Sequence, residues 1–272
     1  MIRVLKSVLF RIKSRPFISG ALLLLPFFIP FLIMINTHIQ IKNEMLVIGG
    51  KLDPREDYSF LIYLIAAFTV LLLDSDLRQG GVRNKVTSGT RRHHIYLGNL
   101  LVSCVYAAFS SCMYFLSWKV FFLITGDTGR KEYYSPDPRS CLIILLWALA
   151  FSCIFVLIEH YFSYRIFSAF LCFIMLIAVN CVGDFTYDRL YEPYKEHVVD
   201  EITGEDYYEL NPKYVTGTKR KIYTLIERNV PQSAILERPG KKLIEEQSIT
   251  NLGLMFITTA TGVITFRRKD LE

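Results

Sequence analysis

The stretch SDLRQGGVRNKVTSGTRRHHIYLGNLL, residues 75–101, carries five bases (Arg78, Arg83, Lys85, Arg91 and Arg92) and is broken by Gly80, Gly81 and Gly89. Asp74 and Asp76 stand at its start. It joins two apolar runs, 58–73 and 95–118. A basic, glycine-broken connection between two segments that water rejects reads as the turn of a chain at a membrane surface.

Working outward, the same pattern fills the 272 residues. The chain is 52% hydrophobic with a mean hydropathy of +0.32, whereas apolar runs near 20 residues in so oily a chain indicate membrane spans. Six runs stand out, roughly 17–36, 58–73, 95–118, 140–158, 166–183 and 250–266. Continuous apolar runs, as opposed to alternation in segments of about ten, exclude a transmembrane barrel. Backbone groups in lipid need partners within their own segment, so the runs are helices. The second run, with sixteen residues, is short for a core about 30 Å thick. Pro26 and Pro30 predict a kink in the first, which has no small-residue cleavage site after it and reads as retained.

Orientation follows the bases in short flanking segments. Segments 1–16, 74–94, 159–165 and 267–272 carry five, five, one and three, whereas 37–57 and 126–139 carry three each, against four and three acids. The first set is expected in the cytoplasm, with both termini inside. Segment 184–247, with ten bases and thirteen acids, is then outside. The pI near 8.9 is a topological signal, and a chain whose bases are spread along a membrane surface is not expected to bind nucleic acid. Residues 2–13 place Ile2, Leu5, Leu9 and Ile12 on one helical face, which predicts a basic amphipathic helix in the interface.

The expected organisation is thus all-α: helices one to five in 1–183 with a basic segment at 74–94, an extracellular cap at 184–247, and helix six with its tail in 248–272. The cap is charged and holds seven tyrosines, with turn signals at Thr203-Gly204, Asn211-Pro212 and Pro239-Gly240. Within it, 213–223 and 224–237 read as a strand and a short helix. Tyr187, Tyr191, Tyr194, Tyr207, Tyr208, Tyr214 and Tyr223 argue for an ordered cap over a flexible linker.

Little chemistry is on offer. No Asp, Glu, His or Arg falls inside the six apolar runs, which disfavours proton-coupled transport, intramembrane proteolysis and a membrane-embedded enzyme. Cys104, Cys112, Cys141, Cys153, Cys172 and Cys181 all lie in or beside apolar runs without a CxxC pair and read as packing residues. His93 and His94 project in different directions on a helix, so no shared metal is expected. Glu159-His160 reads as a polar contact in a cytoplasmic loop. No GxxxxGK[ST] occurs, so the chain has no phosphate loop of its own. A membrane body without an energy source is either passive or driven by another chain.

The stretch GGVRNKVTSGTRRHHIYLGNLL resembles the region between spans two and three of ABC-2-type transporter permeases, the membrane subunits of bacterial ATP-binding-cassette exporters. Asp74 to Asp76, Gly81, Arg83-Asn84-Lys85, Gly89, Arg91 and Ile95-Tyr96-Leu97 fit the family pattern in order, with Asn99 where it often has Lys. Phe266-Arg267-Arg268-Lys269-Asp270-Leu271 resembles its close. Segment 184–247 is longer than the connection many members have there.

The resemblance implies a permease subunit in the bacterial cytoplasmic membrane, paired with a second copy or a paralogous permease and driven by two ATPase subunits that hold the ATP and Mg. The chain itself would then hold no cofactor or metal and be no enzyme. Arg78, Val82, Arg83, Lys85, Val86, Arg91 and Arg92 are the expected ATPase contact, the bases pairing with acids and the valines entering a cleft. Leu225, Ile226, Val230 and Ile235 are a candidate exit gate. The alternative of another class is an immunity or sensor protein whose outer cap binds a peptide antibiotic without transport.

Overall fold

The computed structural model describes residues 2–42, 59–73, 81–125, 138–162, 164–199, 206–229 and 241–268. In chain order the elements are α1 (Ile2–Ser14), α2 (Pro16–Lys42), α3 (Ser59–Phe68, continued by a π-helical turn Thr69–Leu73), α4 (Gly81–Thr87), α5 (Arg92–Thr125), α6 (Pro138–Tyr161), α7 (Arg165–Tyr191), β1 (Lys195–Val199), β2 (Asp206–Leu210), α8 (Gly217–Asn229) and α9 (Lys241–Arg268). Among the described residues five segments are long and apolar enough to cross a bilayer: Pro16–Asn36, Arg92–Thr125, Cys141–Tyr161, Ile166–Tyr191 and Ile244–Arg267. The chain is an all-α, multi-pass membrane protein, with a small hairpin, β1–β2, among the described residues.

The second apolar run behaves differently from the other five. Helix and π turn together hold 15 residues, from Ser59 to Leu73, or about 22 Å at 1.5 Å per residue, which is short of a hydrocarbon core about 30 Å thick. It is also enclosed: Leu61, Ile62, Leu64, Ile65, Ala66, Phe68, Thr69 and Val70 are buried, and it packs against α5, α6, α7 and α2.

The core lies between α2, α3, α5, α6 and α7, and α9 packs along α6. Trp118, Tyr114, Phe121, Ile65 and Met34 are fully enclosed there. Outward faces are apolar as well: Leu24, Val105, Phe170 and Phe256 are exposed, which costs nothing when the surroundings are acyl chains.

Backbone groups that the sequence strands are met by side chains. α2 stays helical through Pro26 and Pro30. Pro26 has no N–H for the carbonyl four residues back, which is Leu22, and the Tyr106 hydroxyl of α5 donates to that carbonyl at 2.8 Å. At the π turn, Thr69 Oγ1 donates to the Ile65 carbonyl at 2.8 Å and lies 3.3 Å from Ser103 Oγ. Ser152 Oγ in turn donates to Ser103 Oγ at 2.8 Å, so hydroxyls link α3, α5 and α6.

Beyond α7 the chain forms a two-stranded hairpin and then α8. β1 and β2 pair antiparallel, from Lys195 opposite Leu210 to Val199 opposite Asp206. Asn211 then turns the chain: its Nδ2 donates to Glu192 Oε2 at 2.8 Å, and its Oδ1 accepts from the Lys213 N–H at 2.8 Å. Asn211-Pro212 is therefore the turn that its composition predicts, whereas Thr203-Gly204 and Pro239-Gly240 lie outside the described residues. The strand expected at 213–223 is not formed. Helix α8 starts at Gly217, with φ +62°, and runs through to Asn229. The strands lie upstream, where two short runs can pair with each other; 213–223 has no such partner, and α8 packs on α7.

Candidate functional site

At one end of the bundle α1, α4, the start of α5 and the C-terminal turns of α6 and α9 come together. α4 has seven residues, too few to be stable alone. Gly89 sets its end, with φ +85°. The Gly89 N–H bonds the Val86 carbonyl and the Thr90 N–H bonds the Lys85 carbonyl, each at 2.9 Å. This paired closure needs a residue at positive φ, where glycine has no Cβ to strain. Ser88 Oγ and Thr87 Oγ1 donate to the Lys85 and Asn84 carbonyls at 2.8 and 3.0 Å.

What holds α4 in place is Val82. It is buried at 2% exposure in a cluster with Val4, Val8, Ile95, Tyr96, Val156 and Phe266, against which Val86 also packs. Val82 is therefore taken by the chain's own interior and is not presented to a partner's cleft. The reason lies in α1, whose Val4 and Val8, one turn apart, compete for that side chain. They form the face of α1 that docks on the body. A Cβ on Gly98 would stand 2.7 Å from Val4 Cγ1, so the missing side chain is what lets α1 approach α5. Arg15, just past α1, donates to the Leu71 carbonyl at 3.4 Å and ties this corner to the π turn.

Beneath the platform lies a polar cluster that its position in the sequence does not announce. Glu159 and His160 are not in a loop. α6 continues through them to Tyr161, and they are 1% and 3% exposed. An apolar run marks the part of a helix that lipid requires, while the helix itself continues as long as backbone bonding and packing favour it. His160 Nδ1 donates to the Val156 carbonyl at 2.8 Å, which leaves Nε2 to accept from Asn99 Nδ2 at 3.2 Å. The ring stands edge-on to Tyr96 and to Phe266, each centroid 5.0 Å away. Glu159 Oε1 accepts from Ser168 Oγ at 3.0 Å and so joins α6 to α7. Tyr96 lies directly on the backbone of Gly262 in α9, where a Cβ would collide with its ring, and its hydroxyl reaches the Thr258 carbonyl at 3.4 Å. Tyr96, Asn99, His160 and Phe266 thus lock α5, α6 and α9 together directly under α4.

Of the bases expected at the surface, Arg91 is exposed, Lys85 and Arg92 are half-buried, and Arg83 lies on α4. Arg78 falls outside the described residues. At the opposite end of α9, Leu225 is exposed and Ile226 half-buried, and Leu225 lines a cleft of about 870 Å³ with Arg220, Thr224, Glu246 and Ile249. Val230 and Ile235 lie outside the described residues. His93 and His94 have touching rings, with centroids 4.3 Å apart. Among the described residues no group of three or more His, Cys, Asp or Glu is placed to hold a metal ion. All six cysteines are free thiols, Cys153 and Cys172 buried.

Val4, Val8, Gly98, Tyr96, Gly262 and His160 are the residues that reading the sequence did not single out as site residues. A Val pair at i, i+4 and two glycines inside apolar helices were the available signals, and neither names its partner. Comparison of the chain with protein families, with curated proteins and with solved structures finds no match.

Proposed function

We propose that the chain is the membrane-spanning permease subunit of an ABC exporter in a bacterial cytoplasmic membrane, working as a dimer with a second copy or a paralogous permease. α3 serves as the second of six spans, both termini face the cytoplasm, and 184–247 caps the outer mouth. ATP and Mg reside on a separate pair of ATPase subunits, so the chain itself is no enzyme.

The observation that carries this reading is the docking of α4. It is a separate short helix between two bundle helices, closed by Gly89 and pinned by Val82, with Arg83 and Lys85 in its sequence and Arg91 and Arg92 just beyond it. A loop that only satisfies the positive-inside rule needs no such anchorage. A push on α4 passes through Val82 to α1 and α5, then through Tyr96 on Gly262 and Asn99 on His160 to α9 and α6. A charged rim meets the acidic groups of a motor subunit, and a stiff aromatic cluster passes the displacement into the spans. Leu225 and Ile226, at the far end, act as the exit gate together with Val230 and Ile235.

The test is charge reversal. The double variant Arg83→Glu, Lys85→Glu is co-expressed with an ABC ATPase subunit that co-purifies with the wild-type chain, and purified. The expected result is loss of co-purification and of permease-dependent ATP turnover, while thermal unfolding in detergent stays close to that of the wild type. Unchanged coupling overturns the assignment of α4. An ordered cap with an adjacent cleft also favours a second reading, a non-transporting immunity protein that binds a peptide antibiotic; peptide binding without any ATPase partner selects it.

A further inference from the structure

On the side of α8 away from the Leu225 cleft lies a second cleft, of about 560 Å³. It is lined by Phe185 and Arg189 of α7, by Lys213, Tyr214 and Thr216 of the turn, and by Lys219 and Tyr223 of α8. We propose that this cleft binds the phosphate of an anionic lipid headgroup at the rim of the bilayer. The proposal does not depend on the permease reading.

Charge is the first argument. Arg189, Lys213 and Lys219 converge on the cleft, and among the described residues no carboxylate lines it. Asp184 and Asp188 are on a neighbouring face of α7, and Glu192 is engaged with Asn211 Nδ2. The cationic groups are supplemented by backbone. α8 begins at Gly217, and its first-turn amides have no partner within the helix, so Thr216, Thr218 and Lys219 offer N–H donors and the positive end of a thirteen-residue helix.

The second argument is rigidity. The Arg189 guanidinium stands 5.4 Å from the Phe185 ring centre, and Phe185 meets Tyr223 edge-on at 6.0 Å. Tyr214 is held between Arg220, 5.1 Å above its ring, and Tyr194, edge-on at 5.2 Å. Arg220 also donates to the Leu190 and Val215 carbonyls at 3.3 and 3.4 Å, which fastens α8 to the end of α7. The Lys213 N–H is fixed by Asn211. Arg189 and the backbone of the turn are therefore set before any ligand arrives, which lowers the ordering cost.

Position selects the source of the phosphate. Arg189 is two residues from Tyr191, where the apolar span of α7 ends. Phe185, Tyr191 and Tyr194 are exposed around it, an aromatic fringe of the kind that sits at headgroup level. A phosphate bound there has its acyl chains alongside the outward apolar face of α7, at Ile177 and Val182.

The full-length chain in phosphatidylcholine nanodiscs containing a minor fraction of phosphatidylglycerol with a photoreactive group beside its phosphate tests this. Adducts mapped by mass spectrometry are expected in 185–191 and 212–223. The double variant Lys213→Gln, Lys219→Gln, at two exposed positions, should reduce them by about tenfold, the loss of one to two charge-assisted bonds. Lys13→Gln on α1 should not change them. Three results overturn the proposal: equal labelling of these peptides by a photoreactive phosphatidylcholine, unchanged labelling in the double variant, or displacement by soluble glycerol phosphate at equal concentration. The last would identify a free phosphate ester as the ligand. Because the two lipids are compared on the wild-type chain, the proposal stays testable even if the variant does not fold.

Discussion

The Tyr106 hydroxyl on α5 donates to the Leu22 carbonyl on α2 at 2.8 Å, and that carbonyl is the one Pro26 leaves without a helical partner. A side chain 84 positions away replaces a bond that proline removed. In lipid no water is present to do so. Tyr106→Phe should therefore destabilise the folded chain by about 1 kcal/mol. In a Pro26→Ala background, where residue 26 regains its N–H, the same change should cost markedly less. Thermal unfolding of the four proteins in one detergent gives the coupling, and equal costs in both backgrounds would show that the hydroxyl and the proline are unrelated.

Gly98 determines whether α1 lies on the body. Gly98→Ala places a Cβ 2.7 Å from Val4 Cγ1, and overpacking of that kind costs about 1–3 kcal/mol. Shortening the partner with Val4→Ala should recover most of the loss. Limited proteolysis between α1 and α2 reports the release of α1; a single variant as resistant as the wild type would mean that the two helices have room to spare.

Gly89 closes α4. Gly89→Ala forces a Cβ into the left-handed region and should weaken the closure by about 1 kcal/mol, with Gly89→Asn milder. Amide exchange at Gly89 and Thr90, whose N–H groups bond Val86 and Lys85, should speed up several-fold in the alanine variant. No acceleration would show that the turn does not hold the end of the helix.

Asn99 and His160 form one unit. His160→Leu leaves the Asn99 amide buried without its acceptor, at a cost of about 1–3 kcal/mol. Adding Asn99→Leu removes the stranded group, so the double variant should melt no lower than His160→Leu alone. Additive losses would indicate that each side chain is held by something else.

Ser88 and Thr216 are both exposed and lie at opposite ends of the bundle. In a background with the six cysteines replaced, an impermeant maleimide added to intact cells should modify Thr216→Cys and spare Ser88→Cys. The reverse pattern would invert the proposed topology.

The helical membrane body was legible in composition and run length, because lipid imposes one rule on every residue of a span: apolar outside, backbone bonded within. The glycine closure of α4 was legible for a similar reason, since Gly89 at the end of a short basic helix is a local requirement of backbone geometry. The Asn211-Pro212 turn belongs to the same class. Fit between separate segments was not legible. Val82 stands in a surface-looking basic stretch, yet α1 claims it. Glu159 and His160 follow an apolar run and look like loop residues, yet α6 carries them into a cluster with Asn99, Ser168 and Tyr96. The strands formed at 195–199 and 206–210, because pairing needs two partners and no single run declares its own. The sequence by itself determined that the chain is a helical body suited to lipid and where short helices must stop, for those depend on each segment and its solvent. Only the tertiary structure decided which valine anchors α4, which carbonyl Tyr106 repairs and which buried polar groups meet, because each of those depends on the shape of a helix far away in the chain.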